Sequence, residues 1–232
     1  NYFADKYGEE TTTDCLADSE IDACLASGHT VSAWYDADSF DATNGVWSDK
    51  TCNGQDAIVT SGTLSVFSGS DSTSNLYLNG LPSVYGIPTT KIQFGRDYNE
   101  VYYTDPHLHI NGQHTVINLC KYSGTTKARI IQSSMNNGLY GFWGARSGVA
   151  HEDGWITSAT DRFGTGWVLS VQAASFYRGN GEDYTQSSID SAREVEQGLL
   201  MINDGQYSGE VSHFACAEVM MFNDQVLGTD EV

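Results

Sequence analysis

Short apolar runs of strand length alternate with turn residues from Val31 onward. The stretch 128–157 shows the pattern most clearly. Ala128–Ser133 is an apolar run, Asn136-Asn137-Gly138 is typical of a hairpin turn, and Leu139–Trp143 is aromatic. Glycines at positions 138, 141, 144, 148 and 154 argue against a helix, because glycine is costly in a helix interior. This stretch, with a further turn at Asp153-Gly154, is predicted to be an antiparallel meander with aromatics packed on one or both faces.

The rest of the chain after position 30 follows the same alternation of strands and turns. The charged segment Gln186–Gln197 is the one predicted short helix or long loop within it. We see no internal repeat and no second core, so residues 31–232 are predicted to form one all-β domain. The other predicted strands are Val31–Tyr35, Ala57–Thr60, Thr63–Phe67, Leu76–Leu78, Ile92–Phe94, Val101–Tyr103, Thr115–Tyr122, Trp167–Gln172, Ser175–Tyr177, Leu200–Ile202 and Phe214–Phe222.

Several short motifs carry a family resemblance through their order along the chain. They are Trp34-Tyr35-Asp36-Ala37, Val46-Trp47-Ser48-Asp49, Gly141-Phe142-Trp143-Gly144, Gly166-Trp167-Val168-Leu169 and the closing run Ala217–Asn223. The region from Val31 to the end resembles the laminin-G-like, concanavalin-A-type jelly-roll domains of extracellular and surface proteins. The resemblance implies a two-sheet antiparallel jelly-roll sandwich and an extracellular or cell-surface location. It says little about function, because this fold hosts lectins, hydrolases, lyases and adhesion modules.

Residues 1–30 differ from the rest and are predicted to form an N-terminal arm. Tyr2 and Phe3 make a small apolar tip, and Asp14–Ser27 is predicted to be a short helix with Ile21 and Leu25 on one side. One interpretation is that the arm docks on another copy, which makes the chain a homo-oligomer or polymer. The other is that the arm packs on its own sandwich or is a linker remnant.

The formal net charge of −19 excludes several partner classes. Such a chain is not expected to bind nucleic acid or an anionic membrane surface, since it offers little positive charge to neutralise phosphates. No apolar run approaches the roughly 20 residues of a transmembrane helix, so membrane insertion is not expected. The sequence does not begin with Met, which indicates a processed or truncated end.

Cysteine spacing favours disulfides over a zinc site, because there is no C-x-x-C pair. Cys120 and Cys216 lie in two predicted strands and could be bridged if those strands are neighbours. Cys15 and Cys24 could close a local loop and leave Cys52 over. Alternatively, Cys52 pairs with the N-terminal segment, or all the cysteines are free thiols in a reducing compartment.

A calcium site is predicted in the acidic segment before the first turn, and calcium is the only candidate cofactor. Asp36, Asp38, Asp41 and Asn44 gather hard oxygen ligands within a short stretch. The spacing is not that of an EF-hand, and capping of Asx turns explains the same residues equally well.

A glycan-binding site is predicted around Tyr177, Arg178 and Asn180, with Trp143 as another stacking candidate. These residues combine an aromatic ring, a forked donor and a turn. In the family that this chain resembles, the corresponding hairpin commonly only packs and turns, so a structural role is the alternative.

No complete catalytic motif is evident, and the chain is not expected to be an enzyme. Glycosidases of the fold it resembles often carry a Glu-x-Asp-x-x-Glu strand, but here Glu20-Ile21-Asp22 is followed by Leu25. His151-Glu152-Asp153 is the remaining candidate acid–base group. His107 and His109 lack a third metal ligand.

These observations favour a non-catalytic extracellular structural or adhesive module, a subunit of a surface or filamentous assembly held by its arm. A lectin-like, polysaccharide-binding module, with calcium as an optional ligand, is the alternative. A carbohydrate-active enzyme ranks third.

Overall fold

The computed structural model describes residues 31–51, 53–95, 114–135, 137–189, 198–207, 209–223 and 227. The predicted arm, with Tyr2, Phe3, Ile21 and Leu25, lies outside these residues and stays a prediction. The described residues form one 3-10 helix, Ala37–Ser39, and sixteen strands. The strands are β1 Ala33–Asp36, β2 Phe40–Asp41, β3 Val46–Trp47, β4 Ala57–Ser61, β5 Ser65–Phe67, β6 Ser83–Gly86, β7 Lys91–Gln93, β8 His114–Tyr122, β9 Ile131–Ser133, β10 Leu139–Trp143, β11 Arg146–His151, β12 Val168–Ala173, β13 Phe176–Gly179, β14 Glu182–Asp183, β15 Leu200–Ile202 and β16 Phe214–Asn223.

The strands form two antiparallel sheets that pack face to face. Sheet A has the order β14-β13-β12-β8-β16-β6-β5, and β1 also pairs with β16. Sheet B has the order β11-β10-β9-β15-β7-β4-β3-β2. The predicted all-β, two-sheet antiparallel sandwich is therefore confirmed.

The core between the sheets follows from alternation along the strands. In β8, Val116, Cys120 and Tyr122 point into the core, while the intervening Ile117 and Leu119 are only half-buried. Successive side chains of a strand point to opposite faces, so this pattern fixes which face of sheet A is buried.

The two longest strands, β8 and β16, are neighbours at the centre of sheet A. Cys120 lies directly opposite Cys216 in their register, and the two Sγ atoms are 2.8 Å apart. Both are free, fully buried thiols, and burial raises the pKa of the Cys120 thiol well above its usual value. The neighbouring strands required for this disulfide are thus present, while the bond itself stays a prediction. Cys15, Cys24 and Cys52 lie outside the described residues.

The predicted meander is confirmed as β9, β10 and β11, although β9 begins at Ile131 rather than at Ala128. The predicted strand Leu76–Leu78 is wrong: these residues form a turn with one isolated bridge between Leu78 and Leu81. Strand β6 was missed, because it is short and runs directly into the sequence Ile87-Pro88, which is typical of a turn.

Among the described residues, no helix is long and apolar enough to cross a membrane. The predicted strand Val101–Tyr103 lies outside these residues, as do His107, His109 and the segment Glu20-Ile21-Asp22.

Replacing Gly141 with Ala is expected to destabilise the domain by about 3 kcal/mol. Gly141 has φ +89°, and a Cβ there would lie against the Ser170 Oγ of the facing sheet, closer than normal van der Waals contact. Equilibrium urea unfolding measures the loss.

Gly181→Ala is the matched control for this substitution. Gly181 has φ +85°, but a Cβ added there would have no atom within 4 Å, so only the backbone cost of about 1 kcal/mol is expected. Equal losses for the two variants would show that the sheets do not approach closely at Gly141.

Candidate functional site

Three half-buried rings lie in a row on the outer face of sheet B. Tyr140 and Phe142 of β10 point into the core, so Trp143 points outward from the last position of that strand. His151 ends β11, and the Asp153-Gly154 turn folds the chain back so that Trp155 pairs with His151 in an isolated bridge.

The rings of this aromatic row contact one another edge to face. The Trp143 and Trp155 centroids are 5.3 Å apart at 66°, and those of Trp155 and His151 are 5.1 Å apart at 89°. All three side chains keep part of their surface open to solvent. An apolar ring surface with polar groups at its edge can stack on the C–H face of a sugar.

A network of polar side chains holds the Trp143 end of the row in place. The Trp143 Nε1 donates to the Glu210 Oε1 (3.3 Å), and the Arg129 Nε donates to the Glu210 Oε2 (2.5 Å). The Arg129 guanidinium also donates to the Asn137 side chain and lies 4.5 Å from the centre of the exposed Tyr207 ring. Arg129 itself is only 4% exposed, so it positions its neighbours and is not a contact surface.

The hairpin turn between β9 and β10 connects this network to the row. Asn137 adopts φ +53°, a left-handed conformation that asparagine tolerates. Its backbone carbonyl lies 3.1 Å from the His151 Nδ1, and its N–H donates to the Gln206 side chain. A carbonyl only accepts, so the His151 Nδ1 carries the proton in this contact.

The segment 203–212, which carries Tyr207 and Glu210, is anchored by a buried asparagine. The Asn203 Nδ2 donates to the carbonyls of Thr90 (3.0 Å), Ser212 (3.0 Å) and Ile87 (3.3 Å), and its Oδ1 accepts from the Ser212 N–H (2.8 Å). Asn203 is fully buried with φ +59°. The hydrogen bonds of Asn203 therefore restrain the two ends of the segment that carries Tyr207 and Glu210.

The predicted glycan cluster is not brought together. Tyr177 is fully buried and its hydroxyl lies 2.9 Å from the Ser170 Oγ, so its prediction as a stacking platform is wrong. Arg178 is half-buried on β13, and Asn180 turns the chain and accepts from the Leu169 N–H. These residues belong to sheet A, whereas Trp143, the fourth predicted residue, lies on the outer face of sheet B.

The predicted calcium ligands also do not converge. Asp36 pairs with Lys50 (2.7 Å) and caps the 3-10 helix through the Ser39 N–H. Asp41 accepts from the Thr43 N–H and from the Asn44 side chain, while Asp38 is exposed. Within the described part of the chain, no three His, Cys, Asp or Glu side chains are placed to hold a metal. Capping, the alternative, accounts for Asp36, Asp41 and Asn44.

The predicted acid–base group His151-Glu152-Asp153 is divided between surface and interior. Glu152 is fully buried, with its Oε1 3.2 Å from the His114 Nε2 and 3.1 Å from the Tyr140 hydroxyl. Burial, and then the charge of Glu152, raise the pKa of Tyr140 well above its usual value, so this hydroxyl stays protonated and donates. Asp153 is exposed and His151 faces outward, so the three side chains cannot act together.

Sequence reasoning found Trp143 but missed Arg129, Tyr207 and Glu210. Glu210 is far from Trp143 along the chain, and no local pattern links the two. For Trp155 a local signal was available: the Asp153-Gly154 turn predicts that the chain after it returns beside β11. No such signal existed for the three missed residues.

Comparison with known proteins supports the fold. No protein-family model matches the chain, and no curated protein matches it significantly. Among solved structures, it is similar to domain 4 of an extracellular arabinanase from Geobacillus stearothermophilus in complex with arabinotriose, with 12% identity, TM-score 0.55, and coverage of 87% of this chain and 95% of that chain. It is also similar to Trypanosoma rangeli sialidase in complex with 2,3-difluorosialic acid, with 12% identity, TM-score 0.50, and coverage of 92% of this chain but 36% of the sialidase. At this identity the likeness shows a β-sandwich fold.

Replacing Asn203 with Ala is expected to destabilise the domain by about 3 kcal/mol, because it removes several buried hydrogen bonds worth about 1 kcal/mol each. Asn79→Ala is the control, since Asn79 is exposed with a similar φ of +49° and is expected to lose less than about 1 kcal/mol. Urea unfolding of both variants tests whether the side chain of Asn203, and not its backbone conformation, holds the segment. Similar losses would contradict the anchoring role.

Proposed function

We propose that this chain is a non-catalytic, carbohydrate-binding β-sandwich module that holds a polysaccharide against the aromatic row. The observation that carries the proposal is the pair of half-buried indoles, Trp143 and Trp155, which pack edge to face on the outer face of sheet B and keep part of their surface open to solvent.

The row has the properties of a preformed sugar platform. Strand backbone fixes Trp143 and His151, and the Glu210 carboxylate restrains the Trp143 indole. Little side-chain freedom remains to be lost on binding, so more of the stacking energy appears as affinity. Neighbouring polar groups, among them Gln206 and Tyr207, are exposed and can bond to sugar hydroxyls.

The described carboxylates of this region favour binding over catalysis. Glu152 is buried between His114 and Tyr140, and Glu210 is occupied by Arg129 and Trp143. These two side chains offer no free carboxyl group, which leaves the exposed Asp153, whereas cleavage of a glycosidic bond usually needs two carboxyl groups on opposite sides.

The fold is compatible with this function. The arabinanase domain was solved with arabinotriose and belongs to an extracellular enzyme. By analogy we propose an extracellular location for this chain, and within the sandwich class we retain the laminin-G-like resemblance as part of the proposal.

The first sequence-based preference, a structural or adhesive subunit held by its arm, depends on residues 1–30. Those residues lie outside the described part of the chain, so self-assembly remains a separate prediction. No described feature favours it over sugar binding.

Trp143→Ala and Trp155→Ala are each expected to weaken polysaccharide binding by about tenfold or more, because each removes one stacking surface. A glycan array followed by affinity electrophoresis in gels containing the bound polymer measures the effect.

Trp167→Ala is the control for these substitutions, since Trp167 is equally half-buried but precedes β12 in sheet A and donates to the Tyr77 carbonyl. It is expected to leave binding unchanged. If wild-type protein binds no polysaccharide, or if Trp143→Ala and Trp167→Ala lose binding alike, the proposed site is wrong.

Light scattering of the intact chain and of a version beginning at His29 tests the arm. If the arm mediates assembly, the intact chain forms oligomers or filaments and the shortened one does not. A monomeric intact chain at high concentration contradicts the assembly prediction.

A further inference from the structure

Charge is strongly segregated along this acidic chain. The protein has 30 Asp and Glu residues, yet none occurs in the stretch 114–151, which contains Lys121, Lys127, Arg129 and Arg146. This stretch forms strands β8 to β11 and contributes Trp143 and His151 to the aromatic row. Two carboxylates from outside this stretch do lie beside the row: the exposed Asp153, and Glu210, which pairs with Arg129 and accepts from the Trp143 indole.

Two cations beside the platform form no ion pair with any carboxylate of the described residues. The Arg146 guanidinium lies over the Trp143 ring, 5.1 Å from its centre, and Arg146 pairs across the hairpin with Trp143. The Lys127 carbonyl accepts from the Ala145 N–H (2.8 Å), which places the Lys127 backbone next to the same hairpin, while its Nζ lies 5.9 Å from the centre of the Tyr122 ring. Among the described residues, no carboxylate forms an ion pair with Arg146 or Lys127.

Three other described cations have a carboxylate partner, whereas Lys121 and Arg162 form no ion pair with a described carboxylate either. Lys50 pairs with Asp36, Lys91 with Asp204, and Arg129 with Glu210. Arg146 differs from these cations because its guanidinium lies over Trp143, a ring of the aromatic row itself.

Stacking on Trp143 also orients Arg146. A guanidinium lying over an indole keeps its edge donors free, and these match the two oxygens of a carboxylate or sulfate. A neutral sugar needs only the ring surface and hydroxyl partners, whereas an acidic sugar on the aromatic row would bring its anionic group within reach of the Arg146 guanidinium.

We propose that the aromatic row binds an acidic polysaccharide, with a sugar ring stacked on the row and its carboxylate or sulfate bound by Arg146, and that Lys127, beside the same hairpin, adds to the attraction. This inference rests on the proposed function and specifies its ligand class. The remaining acidic surface repels an anionic polymer, so such binding depends on the local contact with Arg146, and salt screens the long-range repulsion more than it screens that contact.

Affinity electrophoresis with matched polymers tests the proposal. Polygalacturonate is compared with its carboxyl-reduced, neutral form, and dextran sulfate with dextran, so that the two pairs distinguish a carboxylate from a sulfate ligand. The wild-type protein is expected to bind one acidic polymer at least about tenfold more tightly than its neutral counterpart at about 0.15 M salt, where long-range repulsion from the acidic surface is largely screened and the short contact with Arg146 is screened less.

Arg146→Gln and Lys127→Gln are each expected to reduce that preference by about three- to tenfold while leaving binding to the neutral polymer unchanged. Lys50→Gln makes the same change in net charge over another tryptophan, Trp34, and is expected to have no effect. Trp143→Ala is expected to weaken binding to both members of a pair.

The outcomes separate the two proposals. Equal binding of acidic and neutral polymers by wild-type protein overturns the acidic ligand and leaves the sugar platform intact. An unchanged preference in both Gln variants also overturns it. Binding of neither polymer in any pair, with an empty glycan array, overturns the platform and the inference together.

Discussion

The pairing of β8 with β16 is the constraint on which sheet A depends. Strand β12 pairs with the free edge of β8, and β6 and β1 both pair with the free edge of β16. The remaining strands of sheet A are added to these. The register places Cys120 opposite Cys216 and shifts once, between Cys216 and Glu218. A slip by one residue would turn Val116 and Tyr122 outward, so burial of these side chains specifies the pairing.

The candidate site lies on the outer face of sheet B, whereas the core fills the space between the two sheets. The core takes alternate residues of strands such as β8, and the outer face of sheet B carries Trp143 and His151 on fixed backbone. Buried Arg129 then joins the hairpin turn to the distant Glu210. The position of Trp143 on the surface is thus held in part through Arg129, a polar group that is itself withdrawn from solvent.

Short sequence patterns predicted those features that depend only on residues close together in the chain. The meander, the Asn-Gly turn and the outward position of Trp143 follow from turn chemistry and strand periodicity. The same patterns misplaced Tyr177, because an aromatic beside an Arg-Gly-Asn turn can point to either face and burial decides between them. Asp36 and Asp41 serve as caps rather than as a converging ligand set, and Glu210 reaches Trp143 only through tertiary folding. Such contacts depend on strand order, which no single segment encodes.

The position of β16 has a consequence for biosynthesis. Strand β1 near the start of the described chain pairs with Met221, Met220, Val219 and Glu218 of this late strand, which is also the partner of β8 and β6. A nascent chain on the ribosome has therefore made the strands on both sides of β16 before β16 itself emerges. Until then the inner edges of β8 and β6 lack their partner and are open to pairing with other chains, so we expect this protein to rely on chaperones during synthesis.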